Sequence, residues 1–149
     1  AAGRAKEAGA GIALTPSDGG CVERNREAML RFVREHCDIL VGNHHEIGAL
    51  AGNDDPVAAL DWARGQADIA AVTMSEKGSM VAQGQEAHRI EPVAVPQVVD
   101  STGAGDAYAA GLLAGIAAGR ALPEAGRRGA QLAAEVITHR GARKSKAAA

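Results

Sequence analysis

Asp106 is the residue of this sequence whose surroundings could do chemistry. It follows Gly103-Ala104-Gly105, small residues whose backbone N–H groups can converge on one point where a helix begins, making an anion-binding hole. A carboxylate beside such a hole repels the anion it would hold. It suits phosphoryl transfer better, as the base that takes a proton from a hydroxyl attacking the phosphoryl group held alongside. The hole then stabilises charge developing on the transferred group. On spacing alone, a Gly-rich strand-to-helix turn with an Asp complementing the helix dipole accounts for the stretch equally well. Two other glycine-loop chemistries drop out. A dinucleotide fingerprint would need Gly at Tyr108, and a Walker A loop would need a Gly-Lys pair followed by Ser or Thr.

Two further groups of residues carry a chemical reading. Asn43 and Glu46 bracket the segment NHHE; by themselves they read as a helix cap and a solvated carboxylate. His44 and His45 between them do not read as a metal pair, because neighbours on a helix face different ways. The stretch VTMSEKGS (72–79) holds Thr73, Ser75 and Gly78, and alone its Lys77-Gly78 is a hairpin turn. Cys21 and Cys37 are too far apart for a metal knuckle and read as free thiols of a reducing cytoplasm.

These residues are positioned by an alternation of strands and helices. The chain opens on what reads as the end of a helix, AAGRAKEAGA, as if cut from something longer. GIALT (11–15) is a strand, PSDGG a polar turn, and 23–36 an amphipathic helix with Met29, Leu30 and Val33 on one face. DILVG (38–42) is a buried strand, followed by a short helix from His45 to Ala51 that Gly52 and Asn53 end. Pro56 opens PVAALDWARGQ, with Leu60 and Ala63 inward. DIAAVTMS (68–75) is a strand, EKG a turn, and SMVAQG and EAHRIEPV extended segments separated by Gln83-Gly84. Strand signals end again at Val99, and helices run from Ala104 to Ala118, capped by Gly119, and from Pro123 to Thr138. The tail GARKSKAAA is expected to fray. Repeated βα units with continuous apolar strands predict an α/β fold, a mostly parallel sheet covered by helices on both faces, with an antiparallel edge. Ligands of such sheets bind beyond the carboxyl ends of the strands, where each motif above falls.

Composition narrows the partners. A length of 149 residues fits one domain, and aromatics are only 2%, so its core is built from small aliphatic side chains. With a net charge of -2 and no basic patch interleaved with aromatics, nucleic acid is not expected as a partner. No apolar run approaches a membrane span, and the N-terminus has no signal-peptide core, so the expected location is the cytoplasm.

DSTGAGDAYAAG (100–111) closely resembles the signature of the ribokinase (PfkB) family of sugar and nucleoside kinases. The resemblance implies a ribokinase-like fold, Asp106 as the base, and Gly103, Ala104 and Gly105 as the anion hole. It assigns Asp100 and Thr102 to a monovalent cation such as K⁺. NHHE resembles the family's NxxE motif, which implies that Asn43 and Glu46 orient the water shell of a Mg²⁺–phosphate group. VTMSEKGS is similar to the VTxGxxG nucleotide loop, so Thr73, Ser75 and Gly78 are assigned to ATP, with Ser75 standing where the family has Gly. AAEVITHRGAR (133–143) resembles the family's final helix and its GA turn near the adenine and cation. Ala130 departs from the pattern, since members often carry a polar nucleotide contact there. Members run to roughly twice this length. The resemblance therefore makes residues 1–149 the C-terminal part of a kinase domain, without the N-terminal half that holds the sugar-binding strands and lid. The chain alone is expected not to turn over. Small-molecule alcohols and ATP are the implied partners, and the resemblance leaves room for a homodimer.

LTPSDGGCVERNRE lacks the Asn of the DxNxR segment found in many sugar kinases of the family. Together with EVITHRGAR it is more similar to the adenosine kinase-like branch. A ribose, fructose or 2-keto-3-deoxygluconate kinase is the alternative acceptor class, and a non-catalytic nucleotide-binding remnant or interaction module is the alternative to an enzyme. A Rossmann-type dehydrogenase lacks its glycine fingerprint.

Overall fold

The computed structural model of the protein describes residues 1–143. Its elements are α1 (Ala2–Glu7), β1 (Ala13–Leu14), α2 (Gly19–His36), β2 (Ile39–Asn43), α3 (His44–Ala51), α4 (Pro56–Arg64), β3 (Ile69–Thr73), β4 (Ser79–Gln83), β5 (Glu86–Ile90), α5 (Ala104–Ala117) and α6 (Leu122–Val136). The strands form one sheet in the order β1-β2-β3-β4-β5. β1, β2 and β3 are parallel, and β4 and β5 continue the sheet as an antiparallel edge.

Strand side chains alternate between the two faces, and the apolar runs supply both. Leu40, Ala70, Val72 and Ala82 face one core, which α2, α3 and α4 cover with Val33, Ile47, Ala59, Leu60 and Ala63. Val41, Ala71, Val81 and Ile90 face the other, covered by Tyr108, Ala109 and Leu112 of α5 and Ala125 of α6. A strand buried on both faces must be apolar at every position, which is why β2 and β3 show no polar alternation. Of the residues expected inward on α2, Val33 is buried, whereas Met29 and Leu30 are half-exposed.

The second face is assembled from backbone in close approach. A Cβ on Gly111 of α5 would stand 2.7 Å from the Arg128 carbonyl oxygen and from Gly129 Cα of α6. With nothing larger than a hydrogen at the crossing, the two helices lie close enough for α5 to hold a fixed direction against the sheet.

The structure shifts several expected boundaries, each for a local reason. β1 is only Ala13–Leu14, because Ile12 N–H donates to the Asp38 side chain (2.7 Å) and Pro16 lacks an N–H to extend the ladder. α2 starts at Gly19, four residues early, because the Asp18 side chain accepts from Cys21 N–H and caps the turn. The helix kinks at Asn25 (φ -124°, ψ 16°), whose side-chain amide donates to the Cys21 carbonyl (3.0 Å). β3 ends at Thr73 because Met74 N–H turns back to the Gly78 carbonyl (2.8 Å). Extended structure after β5 stops at Ile90, ahead of Pro92. Residues 98 and 99 form no strand: Val98 and Val99 are 57% and 47% exposed. α6 ends at Val136, and the tail expected to fray lies, from residue 144, outside the described residues. Among the described residues no helix is long and apolar enough to cross a membrane.

Gly111→Ala tests the helix crossing. Alanine improves helix propensity by roughly 1 kcal/mol, yet its methyl must push α6 away, and such overpacking typically costs about 1–3 kcal/mol. The expected outcome is a lower thermal midpoint by calorimetry, although the same change on an unpacked helix would raise it.

Candidate active site

The site begins at the carboxyl ends of β2 and β3, where Asn43 pairs with Thr73 and Thr73 with Ser79. Asn43 is the N-cap of α3: its Oδ1 accepts from Glu46 N–H at 2.8 Å. Glu46 replies through both carboxylate oxygens, accepting from Asn43 N–H at 3.0 Å and Asn43 Nδ2 at 2.8 Å. This is a capping box, so the cap reading of Asn43 holds, but Glu46 is half-buried rather than solvated. Gly42 makes the return possible, since a Cβ there would lie 3.0 Å from Glu46 Oε2 and 2.9 Å from Ile47 Cδ1. The rings of His44 and His45 do not diverge; their centroids are 3.9 Å apart. In a first turn no preceding turn blocks the rotamers that bring neighbours together.

The second part is the start of α5. Gly103 is its N-cap at φ 81° with no side-chain cap on the helix. Left-handed backbone favours glycine, and here space demands it too, since a Cβ would fall 2.5 Å from Ala142 Cβ. Apart from its chain neighbours and its own helix backbone, no atom lies within 4 Å of where a Cβ on Gly105 would stand, so this side of the first turn is open. Asp106 occupies that turn, exposed.

The polypeptide entering this turn is tied down by Asp100. Its Oδ1 accepts from Thr102 N–H at 2.9 Å, and its Oδ2 from Gly141 N–H at 2.9 Å. The Thr102 side chain and the main-chain N–H groups of Gly141 and Thr102 hold the Asp100 carboxyl down at about 2. Val99 N–H adds a bond to the Ile137 carbonyl at 2.8 Å. The GA turn at 141–142 thus seats Gly103 and anchors Asp100 at once.

The two parts meet electrostatically. Burial pushes the Glu46 carboxyl above its ordinary value, and the negative charges of Asp18 and Asp106 push it further. Asn43, Glu46 and Asp106, three residues picked out from sequence, therefore face one region. Asp18 is a fourth, unforeseen member, delivered by a left-handed Ser17 (φ 79°) and fixed by its capping bond to Cys21. The Asp-Gly-Gly at a helix start was the legible signal for it. Among the described residues no three His, Cys, Asp or Glu side chains are grouped to hold a metal ion directly.

The third part is the turn 74–78. Ser75 adopts φ 53°, a left-handed backbone that glycine takes without cost, so the Ser keeps that path. Gly78 (φ 82°, ψ -141°) cannot be replaced so easily, since a Cβ would run into the Ile90 carbonyl and Pro92. Arg89 Nη2 ties the Lys77 carbonyl to β5 at 3.1 Å. Alongside lies a groove of about 230 Å³ between the end of β5 and α6, lined in part by Ile90, Val93, Arg127 and Ala130. Arg26, also unforeseen, donates to the last carbonyls of α3, Ala49 at 2.9 Å and Leu50 at 2.7 Å, fastening the helix that carries Glu46.

Known proteins resemble nearly the whole chain. A family model described as pfkB family carbohydrate kinase matches residues 4–149. The structure of adenosine kinase from Sinorhizobium meliloti superposes with a TM-score of 0.91 at 41% identity, covering 96% of this chain and 44% of that one. A probable sugar kinase from Rhizobium etli superposes at 0.92 with 37% identity, over 97% of this chain and 44% of its own. Cytidine kinase of Thermococcus kodakarensis is 34% identical over 114 residues, 75% of this chain and 41% of that protein. The chain spans less than half the length of these relatives.

The Asp100 clamp has a pH signature. Because folding lowers this carboxyl from 3.8 to about 2, its contribution is present above the unfolded value and lost as pH falls through the folded one. Asp100→Asn should therefore be less stable than wild type at neutral pH. The difference in unfolding free energy should shrink between pH 3.8 and about 2, as denaturant titrations along that range would record.

Proposed function

This chain belongs to the pfkB family of carbohydrate kinases, and from that we propose that the protein transfers the γ-phosphoryl group of ATP to an alcohol hydroxyl of a small sugar or nucleoside. The observation that carries the reading is the start of α5, which no side chain caps, with Asp106 exposed in its first turn. Asp106 takes the proton of the acceptor hydroxyl as its oxygen bonds to the γ-phosphorus and the bond to the ADP oxygen breaks. Gly103 and Gly105 present main-chain N–H groups to the charge that develops on the transferred group; Ala104 N–H donates to the Ser101 carbonyl at 3.1 Å and would join them only on leaving that bond.

Mg²⁺ fits the acidic side of the site. Burial raises Glu46 and the charges of Asp18 and Asp106 add to it, and a hydrated cation would relieve that added repulsion without a closed protein cage. Asn43 and Glu46 keep unused lone pairs beyond their capping box and are the residues proposed to orient its water shell. The ion's chemistry there is neutralisation of phosphate charge. Thr73, Ser75 and Gly78 line the nucleotide path, and the groove beside Ala130 takes the base, held by packing where relatives often use a polar contact. Asp100 and Thr102 are proposed for a monovalent cation such as K⁺, since two N–H groups and the Thr102 side chain do not use up the acceptor capacity of the Asp100 carboxylate.

For the acceptor we propose a nucleoside, adenosine at its 5′-hydroxyl. The likeness to an adenosine kinase at 41% identity supports this, as does the departure of LTPSDGGCVERNRE from the sugar-kinase pattern. A sugar acceptor is the second reading, favoured by the likeness to a probable sugar kinase at 37% identity.

In the intact protein Asp106→Asn should keep ATP affinity and the fold, because Asn is nearly isosteric. Loss of a general base should lower kcat by about 10²–10⁴-fold. Steady-state kinetics with an ATP titration on the folded variant separates this from a dipole-complementing Asp, which would leave kcat within about threefold of wild type. In competition assays adenosine is expected to show the highest kcat/KM; a higher value for ribose or fructose would replace the nucleoside assignment and leave the kinase reading standing.

A further inference from the structure

Ser79 and Tyr108 form a hydroxyl pair that the phosphoryl-transfer chemistry does not use. Ser79 is 1% exposed and Tyr108 3%, and their oxygens are 2.8 Å apart. Ser79 directly follows Gly78 and lies in the row Thr73–Ser79–Ile90 across the sheet. Tyr108 is two residues beyond Asp106 on α5. Its ring is backed by α6, where a Cβ on Gly129 would stand 3.2 Å from ring carbons. Burial pushes the phenol of Tyr108 above its ordinary value, so it stays a neutral hydroxyl and is no rival to Asp106 as base.

A neutral buried pair of this kind adds little net stability, because both hydroxyls surrender water to make one bond. Two apolar side chains would fill the same space. What the pair does uniquely is fix a direction. It connects the end of the turn 74–78 to the first turn and a half of α5, two segments from opposite sides of the proposed phosphate region. Among the described residues no other hydrogen bond joins β4 to α5.

We propose that the Ser79–Tyr108 hydrogen bond is a positioning link that sets the separation between the 74–78 turn and the Gly103–Asp106 helix start, and so the fit of the nucleotide phosphates. The inference rests on the kinase reading above for its kinetic consequence, but not for its structural one.

The test uses Ser79→Ala, Tyr108→Phe and the double variant in the intact protein. Each single change leaves one buried hydroxyl unpartnered and should lower the thermal midpoint. The double change removes both, so the midpoint should return toward wild type. If the bond only stabilises the fold, kinetics return with it. As a positioning link, its loss should leave kcat/KM for ATP down on the order of ten- to a hundredfold in the restored double variant, with the acceptor KM unchanged. Recovery of kcat/KM to within about threefold of wild type overturns the proposal. Amide exchange provides a readout that needs no turnover. Lys77 and Gly78 N–H donate to Met74 and Ser75 carbonyls within the turn, and both should exchange faster in the double variant; unchanged exchange overturns the link as well. Wild-type protein that phosphorylates no alcohol would defeat the kinase reading instead, and the exchange result would still decide the link.

Discussion

The segment entering α5 has no strand ladder to hold it, and Asp100 supplies what a ladder would have. One carboxylate grips the chain at two places, taking Thr102 N–H on one oxygen and, 41 positions beyond Asp100, Gly141 N–H on the other. From that clamp follow the left-handed Gly103, the contact of Gly103 with Ala142, and the direction in which α5 starts. A helix can leave its first N–H groups free for a ligand only if something else fixes where it begins. Here a charge-assisted pair of hydrogen bonds does so.

The clamp is local, and the sheet makes its effect global. α5 lies against α6 through glycine at the crossing, and both bury apolar faces on β2 to β5. The opposite face is closed by α2, α3 and α4, with α3 carrying Asn43 and Glu46 at the end of β2. The two helix starts thus reach the same edge of the sheet from opposite sides. That topology, rather than any single contact, lets Asp106 and Glu46 feel each other's charge.

The arrangement costs stability where it is most useful. Burial and the nearby charges of Asp18 and Asp106 raise Glu46, Ser17 and Ser75 hold left-handed backbone that disfavours side chains, and no side chain caps the first turn of α5. Each is the kind of local conflict that folded proteins tolerate at sites of chemistry because the surrounding packing overdetermines it. A cation and a phosphate group would relieve the first and the last together.

Much of this was legible beforehand. Continuous apolar runs told of strands buried on both faces, and the glycines before Asp106 told of a helix start, since both depend on residue type at short range. NHHE read as a cap, as the structure shows, and by resemblance as a site motif; the capping box is what orients Glu46. Other features were out of reach. Val98 and Val99 read as strand by propensity, yet no strand lies beside them, and pairing depends on residues distant in sequence. Asp100 offered no sign that its second oxygen would take Gly141, nor Asp18 that its charge would reach Glu46, nor Tyr108 that its hydroxyl would find Ser79. The sequence by itself determined most of the strands and helices and which residues are candidates for chemistry, because periodicity and turn chemistry act over a few residues. Only the tertiary structure decided which carboxylates share a field and which loops are tied together, because those depend on distances between segments that the chain brings together only in folding.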